Sequence, residues 1–296
     1  MFGLFPNSSG KTVVSIALAR GLSNEGVKVG VFKPRSGHNM WYQYGAFLKC
    51  KVEEGLFCED IIKLKEASEC PLPYEVLNPV DALMSPLNVE TFLGRNLTNR
   101  MYFLEPEMYP HLIVERYTFI KDKKTENVLL LNEKSINASL VLLDHDYLVK
   151  LREKASKIIP VHNLDEWAIL FKKLAPSSIC SCYKMVRQMY ENLIIEGFND
   201  AVSPELRILD DVNVVVGVAP SAAIFYDPKE LKRVIDTMMK LGKDPRALRA
   251  KETVKFMRAC KTLKIPPLPQ EYLIDYDKLS KKLKIIIKYV KSCLEQ

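Results

Sequence analysis

Apolar residues fall along this chain in short blocks, and the blocks predict buried strands alternating with helices. Residues 1–4 are a brief apolar run, and residues 13–22 (VVSIALARGL) are a strong helical stretch closed by Gly21 and Ser23. Residues 27–32 (VKVGVF) are β-branched with little polar alternation, the pattern of a strand covered on both faces. Residues 40–49 predict a helix with an aromatic face of Trp41, Tyr42, Tyr44 and Phe47. Residues 57–67 predict another, with Ile61, Ile62 and Leu64 as its stripe. Prolines then break up residues 72–79 and Ser85-Pro86. Residues 113–119, 128–131, 140–143 and 157–161 read as strands, and 164–174 as an amphipathic helix with Trp167 and Phe171 on its apolar side. Residues 192–196 (NLIIE) are an apolar strand ending in an acid, and 212–218 (VNVVVGV) is the clearest buried strand. Residues 227–241 and 245–263 predict helices, the second heavily basic. This alternation predicts an α/β fold: a mostly parallel sheet with helices on both faces.

Between the first apolar run and the first helix lies Phe5-Pro-Asn-Ser-Ser-Gly-Lys-Thr12. It reads as a phosphate-binding loop, G-x-x-x-x-G-K-[ST], with Phe5 where the first glycine is usual. Such a loop curls backbone N–H groups around a phosphate chain, so Asn7, Ser8, Ser9, Gly10, Lys11, Thr12 and Val13 are candidate nucleotide contacts. Gly10 allows close approach, Lys11 supplies a point charge, and the Thr12 hydroxyl suits Mg²⁺. The helix that follows turns its positive dipole end to the phosphates. Downstream, residues 33–37 (KPRSG) predict a basic turn that brings Lys33, Arg35 and Ser36 to the ligand-binding edge of the sheet. Glu196, at the end of an apolar strand, has the Walker B position for holding Mg²⁺. Asp144-His145-Asp146 could hold a metal, but the stretch offers no further ligands and a helix start fits it better.

The order of a deviant phosphate loop, KPxSG after the second strand, a helix carrying Asp60, and then YEVLNP resembles dethiobiotin synthetase and the cobyrinate amidotransferase-type ATPases of the same P-loop branch. The resemblance implies a P-loop NTPase core over residues 1–87 and 191–296, with residues 88–190 as an inserted α/β region. It makes Asp60 a Mg²⁺ ligand beside Thr12 and Glu196, and Lys33 a contact to phosphate or substrate. With Lys11, Lys33 and Ser36 as the catalytic set, a small carboxylate or carbamate acceptor would attack the γ-phosphate in line. Residues 265–269 (IPPLP) resemble the family's segment beside the nucleobase, which points to Pro267 and Leu268; a proline turn before the last helix is the alternative. After Glu196-Gly197 the family's two later glycines are replaced by Phe198-Asn199-Asp200, so the substrate is expected to differ from the biotin precursor. A homodimer would fit the family. No N-K-x-D base-recognition sequence occurs, which leans to ATP while leaving GTP open.

Composition changes little in this picture. The 296 residues, 48% hydrophobic and 27% charged, suit one large or two small globular domains. A net charge of +7 sits partly on the last helix, in Lys281, Lys282, Lys284, Lys288 and Lys291, without the interleaved aromatics of a nucleic-acid surface. Seven scattered cysteines and a lone Cys180-Ser-Cys182 suggest reduced thiols and a cytoplasmic protein rather than a zinc site. No apolar run is long enough to span a membrane, and the phosphate loop occupies the place of a signal peptide. The function expected is that of a Mg²⁺-dependent ATPase or ATP-using ligase. A nucleotide-dependent switch that binds a partner through residues 88–190, and a relic whose Phe5 blocks the loop, are the competing expectations.

Overall fold

The computed structural model describes residues 1–295, and the fold is α/β. In chain order the strands are β1 (Phe2–Gly3), β2 (Val29–Phe32), β3 (Arg35–Asn39), β4 (Val80–Met84), β5 (Leu112–Lys121) and β6 (Lys124–Asn132). They continue with β7 (Lys157–Val161), β8 (Asn192–Ile195), β9 (Val215–Ala219), β10 (Ala222–Tyr226) and β11 (Ala259–Lys264). The principal helices are α1 (Lys11–Asn24), α2 (Tyr44–Glu53), α3 (Glu59–Ser68), α4 (Leu164–Met189), α5 (Pro228–Lys240), α6 (Tyr276–Lys282) and α7 (Lys284–Leu294). The chain divides into two units: Met1–Pro34 with Lys63–Leu72 and the chain from Val186 onward, and Arg35–Ile62 with Pro73–Met185. No described helix is long and apolar enough to cross a membrane.

In the first unit β2 pairs with β8 and β1 with β9, both in parallel. Backbone hydrogen bonds from Met1 N to Ile195 O and from Gly197 N to Met1 O, each 2.8 Å, join the two pairs in the pattern of a parallel ladder. These two bonds join the pair β2-β8 to the sheet β1-β9-β10-β11 along Met1, and within that sheet β10 and β11 are antiparallel beyond β9. Helix α1 buries Val14, Ile16, Ala17, Leu18 and Leu22 and packs against α6 and α7. Gly21 makes this packing possible, because a Cβ there would lie 2.3 Å from Ile287 Cδ1. Phe2 stacks on Tyr226 with ring centroids 6.1 Å apart, over a cluster that includes Val215, Leu231 and Ile235.

In the second unit the order is β3-β4-β5-β6-β7, with β3/β4 and β6/β7 parallel and the two central pairings antiparallel. The sheets are thus mixed, where the apolar pattern predicted mostly parallel strands. Two tight hairpins account for two of the four antiparallel pairings, β5/β6 and β9/β10. Asp122 and Lys123 both adopt positive φ (50° and 64°) and turn β5 straight into β6, the backbone of a tight hairpin without its usual glycine. Ser221, at φ 73°, does the same work between β9 and β10.

Two predicted elements are replaced. Residues 245–263, expected as one helix, instead make a 3₁₀ turn at Pro245–Ala247, a single turn at Ala250–Thr253 and the strand β11. β11 is almost wholly exposed, so pairing with β10 rather than its own apolar pattern makes it a strand. Residues 140–143 contribute one isolated bridge, Val141 to Leu87, and no named strand. Asp144 then caps the helix His145–Lys154 by accepting from Tyr147 N at 3.0 Å, as a helix start at that point requires.

Candidate functional site

β1 stops at Gly3, the chain loops over residues 4–10, and α1 starts at Lys11. Gly10 stands at the N-cap with φ 86° and brings no side-chain cap, and the first turn of α1 holds no acidic residue. The positive end of the helix is left for an anion. Left-handed backbone falls on Ser8 (φ 51°) and Gly10, and not on Phe5, whose ring is 54% exposed. The loop therefore needs no glycine at position 5, and the phenylalanine is exposed.

The glycine the loop does need is Gly3, which motif reading missed because it lies two residues early. A Cβ on Gly3 would lie 2.5 Å from Ser9 Oγ, 2.8 Å from Phe5 O and 3.0 Å from Asn199 O. Two of these three are backbone atoms, so Gly3→Ala is expected to push the loop out of shape. It should cost about 1–3 kcal/mol of stability, measured by urea unfolding. A variant of unchanged stability would show that the close approach is unimportant.

Lys11 is buried and its Nζ lies 3.4 Å from Ser9 Oγ, across its own loop. Thr12, one residue on, donates from Oγ1 to Glu196 Oε1 at 3.0 Å. The same oxygen receives Lys33 Nζ at 2.6 Å, from the end of β2. Lys33 and Glu196 are buried, so neither charge would be tolerated alone. The second oxygen, Glu196 Oε2, is buried without a hydrogen-bond partner. Gly197 follows Glu196 so closely beside β1 that a Cβ would lie 3.0 Å from Met1 O. Lys11, Thr12, Lys33 and Glu196, from three separate stretches of sequence, thus belong to one unit, and Thr12 and Lys33 both bond to the Glu196 carboxylate.

Among the described residues no group of three or more His, Cys, Asp and Glu side chains could hold a metal. A cage made wholly of protein is therefore not built here. One carboxylate with an unpaired buried oxygen and one hydroxyl is the donor set that suits Mg²⁺, which keeps waters and phosphate oxygens as its other ligands. The residues fit that cation when it arrives with a nucleotide.

The remaining candidates are placed as follows. Asn7 and Ser8 are exposed, Ser9 is buried and Val13 is half-buried. Pro267 is exposed and Leu268 half-buried in the irregular segment after β11. Asp60 belongs to the second unit, where it is half-buried in the acidic first turn of α3 beside Glu59. Residues 33–37 are not the predicted turn: Lys33 and Pro34 are a link, and Arg35 opens β3. β-register explains the change, since Arg35 to Asn39 pair residue by residue with Val80 to Met84.

Ser36 consequently faces inward. Its Oγ lies 2.5 Å from Asp81 Oδ1 and 3.0 Å from Asn78 Oδ1, while His38 Nδ1 lies 2.9 Å from Asp81 Oδ2. Burial opposes a charge on His38, but the charge and hydrogen bond of Asp81 outweigh it and, with Cys50, raise its pKa to about 10. Glu115, on β5, is also fully buried; Tyr117 Oη (2.5 Å) and Trp167 Nε1 donate to its Oε2, and burial raises its pKa. His38, Asp81 and Glu115 carried no motif. Asp81 alone gave a signal, as the one polar residue of the apolar strand VDALM.

No family model matches this chain, and comparison with curated proteins and with solved structures returned no match.

Proposed function

We propose that this chain is a Mg²⁺-dependent nucleotide-binding enzyme, an ATPase or ATP-using ligase of the dethiobiotin synthetase-like branch of P-loop NTPases. The observation that carries the reading is the strand–loop–helix at β1 and α1, with Thr12 bonded to a buried strand-end glutamate on the neighbouring β8. The parallel pairs β2-β8 and β1-β9, joined along Met1, also support it, since they place the loop and Glu196 at the carboxyl ends of adjacent strands. In this reading backbone N–H groups around residues 8–13 bind the phosphates, and Lys11 turns from Ser9 to the β/γ-phosphates. Thr12 and Glu196 would hold Mg²⁺, which supplies charge neutralisation at the phosphate oxygens. Lys33 supplies a second positive charge for the transferred group or a small carboxylate or amine acceptor. Phe198-Asn199-Asp200, in place of a glycine pair, favours an acceptor other than the biotin precursor.

Titration calorimetry with ATP and GTP in the presence of Mg²⁺, on the wild type and Lys11→Ala, tests the proposal. A charge-assisted hydrogen bond to phosphate contributes about 1.5–3 kcal/mol, so Lys11→Ala is expected to bind about 10–100-fold more weakly. No binding by the wild type, or equal binding by a folded variant, overturns the reading.

A further inference from the structure

Glu196 is held in a lopsided way. Both cationic and hydroxyl partners, Lys33 Nζ and Thr12 Oγ1, address Oε1, and Oε2 is buried with no hydrogen-bond partner. A carboxylate with no exposed surface needs a positive partner, and the Lys33 ammonium, only 4% exposed itself, provides it at 2.6 Å. The side chain that would give up its charge to a cation is thus already neutralised by an amine.

We infer that Lys33 is a built-in stand-in for the divalent cation, neutralising Glu196 until metal and nucleotide arrive and then yielding it. The inference rests on the nucleotide-binding reading above and adds an order of events to it. A dication on the unpartnered Oε2 would lie on the same carboxylate as the ammonium on Oε1, and the repulsion between the two cations in a buried site favours exchange of one for the other. The displaced lysine keeps its place at the end of β2, and its four-carbon stem lets the ammonium swing toward a negative group. Its charge becomes available to phosphate or acceptor only once the site is loaded. Until then Glu196 is kept from collecting metal alone.

The test is Mn²⁺ binding without nucleotide, followed by the loss of the free Mn²⁺ electron paramagnetic resonance signal. The wild type, Lys33→Met, Lys33→Arg and the double variant Lys33→Met/Glu196→Gln are compared. Lys33→Met is expected to bind Mn²⁺ at least tenfold more tightly than the wild type, with the gain abolished in the double variant and absent in Lys33→Arg. A folded Lys33→Met with wild-type Mn²⁺ affinity, or a gain that survives Glu196→Gln, overturns the inference. If the stranded carboxylate keeps Lys33→Met from folding, millimolar Mn²⁺ must restore folding, and lack of rescue overturns it equally. Nucleotide is absent throughout, so these outcomes are separate from those of the ATP titration.

Discussion

Arg116→Leu is expected to lower the stability of the second unit by about 3–5 kcal/mol, the cost of breaking a buried charged network. Arg116 lies on β5 at 1% exposure. Its Nε donates to Leu56 O at 2.9 Å, Nη1 to Pro79 O at 3.2 Å and to Thr118 Oγ1, and Nη2 to Asn78 O at 2.5 Å. One guanidinium thereby closes the carbonyls of two separate irregular segments, before α3 and before β4. Leucine fills part of the volume but takes the donor from the Leu56 and Asn78 carbonyls, at about 1–3 kcal/mol for each that water cannot reach, while Pro79 O keeps Thr118 N at 2.9 Å. Lys121→Ala is the contrast. That lysine meets Glu126 at 3.8 Å with both side chains largely exposed, and its loss should cost at most about 1 kcal/mol. Both tryptophans, Trp41 and Trp167, lie in the second unit, so fluorescence-detected urea unfolding reports on it. A loss below about 1 kcal/mol for Arg116→Leu would show that the network is replaceable.

What could be read from the sequence was local. The glycine-lysine-threonine loop lay between an apolar run and an apolar helix, each visible within a dozen residues, and β2, β8 and the Glu196 at its end were as plain. Strand direction was not legible, because it depends on which strand a run pairs with. β11, with five of its six residues exposed, is a strand because β10 is beside it. The β5–β6 turn was hidden because Asp122 and Lys123 take a backbone shape usually announced by Asn-Gly. Gly3 escaped for a different reason: its constraint is a close approach to Ser9 and Asn199, and that is known only once the loop is folded. Ser36 shows the converse error. Its neighbours Pro34 and Gly37 suggested a turn, while pairing with β4 drew residues 35–39 into a strand and turned the hydroxyl onto Asp81.

The pairing of β3 with β4 also dictates how stability changes with pH. His38 and Asp81 are both fully buried and lie 2.9 Å apart, and the imidazole reaches a pKa of about 10 against an ordinary value of 6.5. A histidine whose folded pKa is raised contributes stability that is fully present below the unfolded value and is lost as pH climbs through the folded one. Burial works against the charged ring, so the gain comes from Asp81, with Cys50 adding to it. Linkage over that window corresponds to about 3 kcal/mol lost between pH 7 and 9.5. The wild type is expected to lose this amount beyond whatever His38→Asn loses, because the variant has no proton to give up. Other groups titrate in the same range, so the difference between the two proteins is the quantity to measure, by urea unfolding at both pH values. Equal slopes would mean that the ring is neutral at pH 7 and meets Asp81 through a hydrogen bond without charge. An unequal slope, with His38→Asn weaker at pH 7 and level with the wild type near pH 10, would establish a buried imidazolium as the tie between β3 and β4.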